Sequence, residues 1–443
     1  MLNVMHVSAT DLQGGAARAA LRIHRSLQNY NACDIAINSY MRVINKISED
    51  QSIIGGIPKS QNSTLRKLQS KIGGIRYKKY VTSNQNLHSI AWPSTGLGEE
   101  LTRYYDSKYI DLINLHWINN DTISIEEIGN LQVPIVWTLH DQWAFCGAEH
   151  YTSFEAAHET INLNERFING YNKRTRPAYE HGPDLNKHTW DRKKRAWKQP
   201  IQIVCPSNWL ANCAKKSSLM SEWPIRVIPC PLDTDIWLPV DKLQARKLLG
   251  LPLNAQLILF GAIGGIRDYR KGADLMLGAI QVLNNMQTKN NKKNIELVIF
   301  GQNKPRISLE TDFPIHYKGL LHDDISLRLL YASADVMVVP SREEAFGQTA
   351  SEAQACGVPV VAFQIGGLLE IIQDKVTGSL AIPFDPESLA KEILWVLDNS
   401  ERRQQLSVAA RKRAIELFNS QRIANMYIDV YQQIIGSKVR KER

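Results

Sequence analysis

The sequence predicts an α/β protein of two doubly wound halves, and three observations carry that prediction. An apolar run, Leu2 to Val7, leads into a turn at Asp11 to Gly15 and then a helix starting near Ala16. Strand, Gly-Gly turn and helix open a nucleotide-type fold. Two further apolar runs, Ile110 to Leu115 and Val133 to Leu139, each run into a histidine, His116 and His140. Such runs read as buried parallel strands with polar groups at the carboxyl end, where open sheets bind ligands. Past residue 240 the strand-and-helix alternation begins again.

In the first half, Ala17, Ala20, Leu21, Ile23, His24 and Leu27 recur at mixed helical spacing behind the glycine turn. From His150 to Pro200 the chain reads as polar, irregular and basic, with Lys173, Arg174, Arg176 and the run Arg192 to Arg195. Regular structure resumes with a strand at Ile201 to Cys205 and a helix from Asn208. Pro224, Pro229, Pro231 and Pro239 punctuate the crossover between halves. The second half is expected to hold strands at Leu257 to Phe260, Ile295 to Phe300, Val336 to Val339 and Pro359 to Phe363. Its helices are expected at 272–288, 325–332, 348–355 and 386–398. Ser420 to Ile435 closes the chain as an amphipathic helix. The halves show no sequence repetition.

Composition narrows the class. Of 443 residues, 44% are apolar and 22% charged, which excludes a disordered chain or a coiled-coil rod. Lys and Arg exceed Asp and Glu by 53 to 44, so anionic partners are favoured. Six scattered cysteines without C-x-x-C spacing fit reduced thiols and a cytoplasmic location. No leader is evident at the N-terminus, and no run nears the ~18 apolar residues a membrane span needs.

The richest constellation is Pro340 to Pro359, PSREEAFGQTASEAQACGVP. Glu344 sits in a loop behind a buried strand, and Glu352 lies about one turn into the next helix. Both can face that helix's N-terminus, whose free N–H groups suit a phosphate, while the carboxylates can accept from sugar hydroxyls. The plainer reading makes them first-turn helix charges. Other signals are set aside. Asp233-Thr-Asp235 spells a metal-nucleotide motif of a different fold but stands among crossover prolines. The histidines at 150, 158, 181 and 188 lack metal-ligand spacing with cysteines. There is no ATPase-type phosphate loop, and Ser207 has no nucleophile elbow. The run Arg192 to Arg195, flanked by Trp190 and Trp197, fits a solvated helix face. It also fits a patch for anionic lipid or a lipid-diphosphate acceptor.

Pro340 to Pro359 closely resembles the E-x7-E donor signature of retaining glycosyltransferase family 4, whose fold is GT-B. Gly14-Gly15 resembles that family's glycine-rich loop. Thr138 to Tyr151, TLHDQWAFCGAEHY, resembles a His-Asp segment of capsular and exopolysaccharide members. Val204 to Ser207, Val227 to Asp233, Lys271-Gly272, Gly366-Gly367 with Glu370, and Val376 to Gly378 follow in the family's order. The resemblance implies two Rossmann-like domains facing each other across a cleft: residues 1–236 for the acceptor and 237–415 for the donor. Residues 416–443 would pack back on the first domain.

The same resemblance implies the roles. Glu344 would meet the donor sugar's hydroxyls, and Glu352 the ribose. The backbone of Phe346, Gly347, Gln348 and Thr349 would meet sugar and phosphates. Lys271 would neutralise the leaving diphosphate. The family's arginine position holds Ile266, which leaves Arg267 and, second, Arg270 as the other cation. His140 would face the donor sugar and reaction centre, with Asp141 orienting it or meeting the acceptor. Gly14, Gly15, Arg18 and His116 would line the acceptor side and the diphosphate's approach. The implied reaction moves a sugar from a nucleoside diphosphate sugar to an acceptor hydroxyl, retaining configuration, without metal or cofactor. The expected acceptor is a glycan or lipid-linked molecule of a polysaccharide or glycolipid pathway, with peripheral contact at the inner membrane face and no nucleic acid. A sugar-nucleotide epimerase of the same fold and a non-catalytic sugar-nucleotide-binding protein are the alternatives.

Overall fold

The structure is a computed structural model. It describes residues 1–441 apart from 31–35, 59–67, 69–70, 73–87, 93–94, 121, 153–163, 179, 181, 262–267, 287–293, 305–310 and 322. The chain forms two units, Met1–Pro231 with Gln421–Arg443, and Leu232–Ser420.

Among the described residues the first unit holds a seven-stranded sheet. Its strands are β1 (Leu2–Thr10), β2 (Ile37–Asn45), β3 (Ile53–Gly55), β4 (Leu112–Leu115), β5 (Ile135–Thr138), β6 (Gln202–Cys205) and β7 (Ile225–Val227). They run in the order β3-β2-β1-β4-β5-β6-β7, all parallel. The order reverses between β1 and β4, so a crevice opens outside their carboxyl ends. β2 and β3 escape sequence reading because Ser39 and Arg42 interrupt the apolar pattern of β2. Both are buried: Ser39 bonds His24 at 2.7 Å, and Arg42 Nε donates to Glu100 at 2.7 Å.

The last helix, Ser420–Lys441, runs past the expected Ile435 and builds this unit's core. Ile423, Ala424, Tyr427, Ile428 and Tyr431 pack with Leu2, Val4, Leu112, Val136 and Val204. Asn114 Nδ2 donates to Tyr431 Oη at 2.8 Å, which satisfies a polar group inside the sheet.

The stretch from His150 to Pro200 is not irregular as expected, for helices lie at Asn164–Asn169 and Leu185–Ala196. Asp184 caps the second by accepting from Lys187 N. The basic run on that helix is not a solvated face either. Arg192 is buried and pairs with Glu126 while donating to the carbonyls of Ile90 and Ala91. Lys193 is fully buried. Its ammonium donates to the carbonyls of Trp143, Cys146 and Gly147 and lies 3.7 Å from the centre of the Trp143 ring. Lys194 and Arg195 alone of the run are exposed.

In the second unit the described strands are β8 (Gln256–Gly261), β9 (Ile295–Phe300), β10 (Ile315–Tyr317), β11 (Val336–Val339), β12 (Val360–Phe363) and β13 (Gly378–Ala381). The parallel order β10-β9-β8-β11-β12-β13 reverses between β8 and β11. Helices Ala273–Met286 and Pro386–Leu397 cover the sheet with Ala279, Ile280, Leu283, Leu389, Ile393 and Val396. Helix Ser400–Phe418 was not expected. Its buried residues are Leu406, Ala410, Ala414 and Phe418, and two alanines in such a stripe give little hydrophobic contrast. No described helix is long and apolar enough to cross a membrane.

Candidate functional site

In the second unit, β11 delivers Pro340 and Ser341 to the switch point, and Glu344 follows in the loop. Gly272, at φ 66°, is the cap of the short turn Tyr269–Lys271. A Cβ at 272 would overlap Pro340 O, so glycine is what lets Lys271 stand beside the Glu344 loop. Lys271 Nζ donates to Glu344 Oε1, and Ser341 Oγ donates to the same oxygen at 2.9 Å. Burial pushes the Glu344 carboxyl up, but the Lys271 and Arg270 charges outweigh it and hold the group below the usual carboxylate range.

The loop is fixed from behind. Gly367 N donates to Glu344 O at 2.9 Å, and a Cβ at Gly366, φ 51°, would overlap the same carbonyl. Arg342 pairs with Asp274 and stacks over Tyr269 at 3.7 Å. Arg270 pairs with Asp268 at 2.9 Å, and Arg267 lies outside the described residues.

Helix Gln348–Ala355 starts at Gly347, φ 108°, with no side-chain cap. Gln348 and Thr349 are half-buried in its first turn. Phe346 is buried edge-on against Phe418, which leaves its backbone as the part a ligand could meet. Glu352 is buried and accepts from Tyr331 Oη at 2.8 Å. A cation, two carboxylates and a helix N-terminus thus gather at one switch point, a set suited to a phosphorylated sugar.

In the first unit, Gly14 (φ 94°) precedes helix Gly15–Gln28, which also lacks a side-chain cap, and Arg18 is half-buried one turn along. His116 and His140 follow β4 and β5. His116 is buried with both ring nitrogens engaged: Nε2 with His6 Nδ1 at 2.9 Å and Nδ1 with His140 Nε2 at 3.1 Å. Burial lowers the pKa of His140 to about 4, against the raising charge of Asp141. Asp141 does not bond the His140 ring. It accepts from Trp117 Nε1 at 2.9 Å and Trp143 N at 2.9 Å, and meets His150 Nδ1 at 2.6 Å. Burial raises its carboxyl, and His150 with these N–H donors brings it below the usual range. His140, Asp141, His116 and Asn119 line one small cavity, and Asn119 Oδ1 is buried and lacks a hydrogen-bond donor among the described residues.

Sequence reasoning missed His6, His150, Lys193, Asn119, Ser341 and Tyr331. Asn119 and Ser341 lie just past apolar strands, a position that could have flagged them. No cluster of three or more His, Cys, Asp or Glu able to hold a metal occurs among the described residues.

Two Rossmann-like units of this topology are the GT-B architecture, and solved GT-B structures match nearly the whole chain. Sucrose-phosphate synthase from Thermosynechococcus elongatus superposes with a TM-score of 0.65 at 17% identity, over 99% of this chain and 100% of that one. HepE of Anabaena, solved with UDP and glucose, gives 0.64 at 14% identity, over 98% and 100%. Within that architecture, residues 250–413 match the family model described as Glycosyl transferases group 1. A D-inositol 3-phosphate glycosyltransferase of Xylanimonas cellulosilytica is 34% identical over 225 residues, covering 47% of this chain and 51% of the relative. The chain spans about half the length of the curated relatives it matches.

Proposed function

We propose that the protein is a retaining glycosyltransferase that moves a sugar from a nucleoside diphosphate sugar to an acceptor hydroxyl. The observation that carries this is the Lys271, Glu344 and Glu352 set at the carboxyl edge of β8 and β11, inside the stretch matching Glycosyl transferases group 1. In this reading Lys271 and the N-terminus of helix Gln348–Ala355 take the diphosphate, and Glu352 takes the ribose. Glu344 takes a sugar hydroxyl once Lys271 turns to phosphate. Charge on the leaving diphosphate is met by these fixed groups rather than by a divalent metal, and the leaving phosphate accepts the incoming hydroxyl's proton. His140 and Asn119 of the first unit offer polar groups to the acceptor side. A polysaccharide or glycolipid acceptor is in keeping with the sequence of the His140 segment. Membrane contact would rest on Lys194 and Arg195, since Arg192 and Lys193 face inward.

The test is a thermal-shift panel of UDP, GDP, ADP and CMP, with and without magnesium. A nucleotide at ~100 times its Kd adds about 2.7 kcal/mol, on the order of 5–10 °C for a unit of this size. One base should respond, equally with and without magnesium, and Glu352→Ala should abolish the response. With that nucleotide's sugar conjugates, Glu344→Ala should keep binding and lose transfer. Turnover without an acceptor and with a changed sugar would replace the proposal with epimerisation.

A further inference from the structure

The histidines at the edge of the first unit form a line. His6 Nδ1 meets His116 Nε2 at 2.9 Å, and His116 Nδ1 meets His140 Nε2 at 3.1 Å. Ring centres stand 5.2 and 5.4 Å apart, so centre, nitrogen, nitrogen and centre lie nearly in line and each contact falls along the lone-pair direction in the ring plane. Each contact needs one N–H and one bare nitrogen, because a neutral imidazole carries a single proton.

Only two neutral arrays satisfy both contacts. In one, His6 donates to His116 and His116 donates to His140, which places the third proton on His140 Nδ1 and leaves His6 Nε2 bare. In the other the direction is reversed: His140 Nδ1 is bare and His6 carries its proton on Nε2. The two ends differ. His6 is fully buried, and its Nε2 has no hydrogen-bond partner among the described residues, whereas His140 is only partly buried. A buried N–H without an acceptor is the rarer fault. The first array keeps its terminal N–H at the accessible end.

We propose that His6 and His116 are positioning residues that lock His140 as the Nδ1–H tautomer, making it a neutral hydrogen-bond donor to a ligand oxygen rather than a base. Burial favours neutral rings along the line: it lowers the pKa of His6 and His116 well below the usual histidine value. Among the described residues, the charged and titratable groups facing the line are Asp141 beside His140 and His24 beside His6, the latter in turn near Asp50 and Arg25. His24 is itself held by the hydroxyls of Ser39 and Ser52 at 2.7 and 2.9 Å, so it does not supply the partner His6 Nε2 lacks. The assignment of a ligand oxygen rests on the transferase reading, but the tautomer itself does not.

The experiment is imidazole nitrogen NMR on the full chain labelled with [15N]histidine, without any ligand, with His140 assigned by loss of its signals in His140→Gln. A protonated Nδ1 and a bare Nε2 on His140 are expected, unchanged from pH 6 to 8. His6→Phe removes the donor at the dry end and should give His140 a mixture of tautomers. His6→Asn, whose amide can replace Nδ1 as donor, should restore one. A protonated Nε2 on His140 in the parent overturns the proposal, and so does a pure Nδ1–H form surviving in His6→Phe. Should His6→Phe fail to fold, the parent and His6→Asn spectra still decide the direction of the line. Failure of the nucleotide panel with the expected tautomer present would sink the transferase reading alone.

Discussion

Lys271 and Glu344, 73 positions apart in the chain, form an ion pair at the carboxyl edge of the second sheet, with Ser341 bonded to the same carboxylate oxygen. The pair occupies the atoms that the proposed donor would need, so binding must exchange one anion for another at Lys271. Removing one partner strands a buried charge. Lys271→Met is expected to lower unfolding free energy by about 3–5 kcal/mol. Adding Glu344→Gln should return most of it, as read by denaturant unfolding of the parent, both single variants and the double. Equal loss in the single and double variants would mean the pair is energetically idle.

Asp141 gives a pH signature. Its folded pKa lies below the ordinary carboxylate value, so its stabilisation is complete above that ordinary value and is lost as pH falls through the folded one. Asp141→Asn should cost about 1.5–3 kcal/mol at pH 7. The gap between parent and variant should shrink steadily below pH 4, followed by melting temperature across an acid series. A gap that widens toward acid contradicts the assignment.

Gly366 holds the back of the Glu344 loop at φ 51°. A Cβ there meets both a left-handed backbone penalty and the Glu344 carbonyl. Gly366→Ala should therefore cost at least about 1–2 kcal/mol and weaken nucleotide-sugar binding more than binding of the nucleotide alone. Calorimetry on the two ligands separates these effects.

Tyr331→Phe removes the hydroxyl that orients Glu352. The fold should lose about 1.5–3 kcal/mol, as for hydrogen bonds to charged groups. Nucleoside diphosphate affinity should fall while the Lys271 pair is untouched. Unchanged affinity in a correctly folded Tyr331→Phe would remove Glu352 from the ribose role.

The parts of the fold legible in the sequence were those with high apolar contrast. β9 and β11 lie at the expected Ile295 to Phe300 and Val336 to Val339, and helix 348–355 matches residue for residue. What escaped was polar or small inside and therefore looked external: Ser39 and Arg42 on β2, Ala410 and Ala414 on helix Ser400–Phe418, and Lys193 in a run read as solvated. The candidate site divides along the same line. Glu344 stands out by its place in a loop behind an apolar strand, whereas Lys271 stands out only through the family resemblance. His6 was hidden inside an apolar strand, and only its contact with His116 reveals it. Tyr331 reads as helix core until its hydroxyl is seen on Glu352.

The helix Ser420–Lys441 completes a core begun by Leu2 and Val4, yet the whole second unit is threaded between them. During synthesis at about 5–20 residues per second, the ribosome needs on the order of 10–40 s to make that intervening unit. Throughout this interval Val4, Leu112, Val136 and Val204 have no covering Tyr427 or Tyr431. The core of the first unit can therefore be completed only after the second unit has been made.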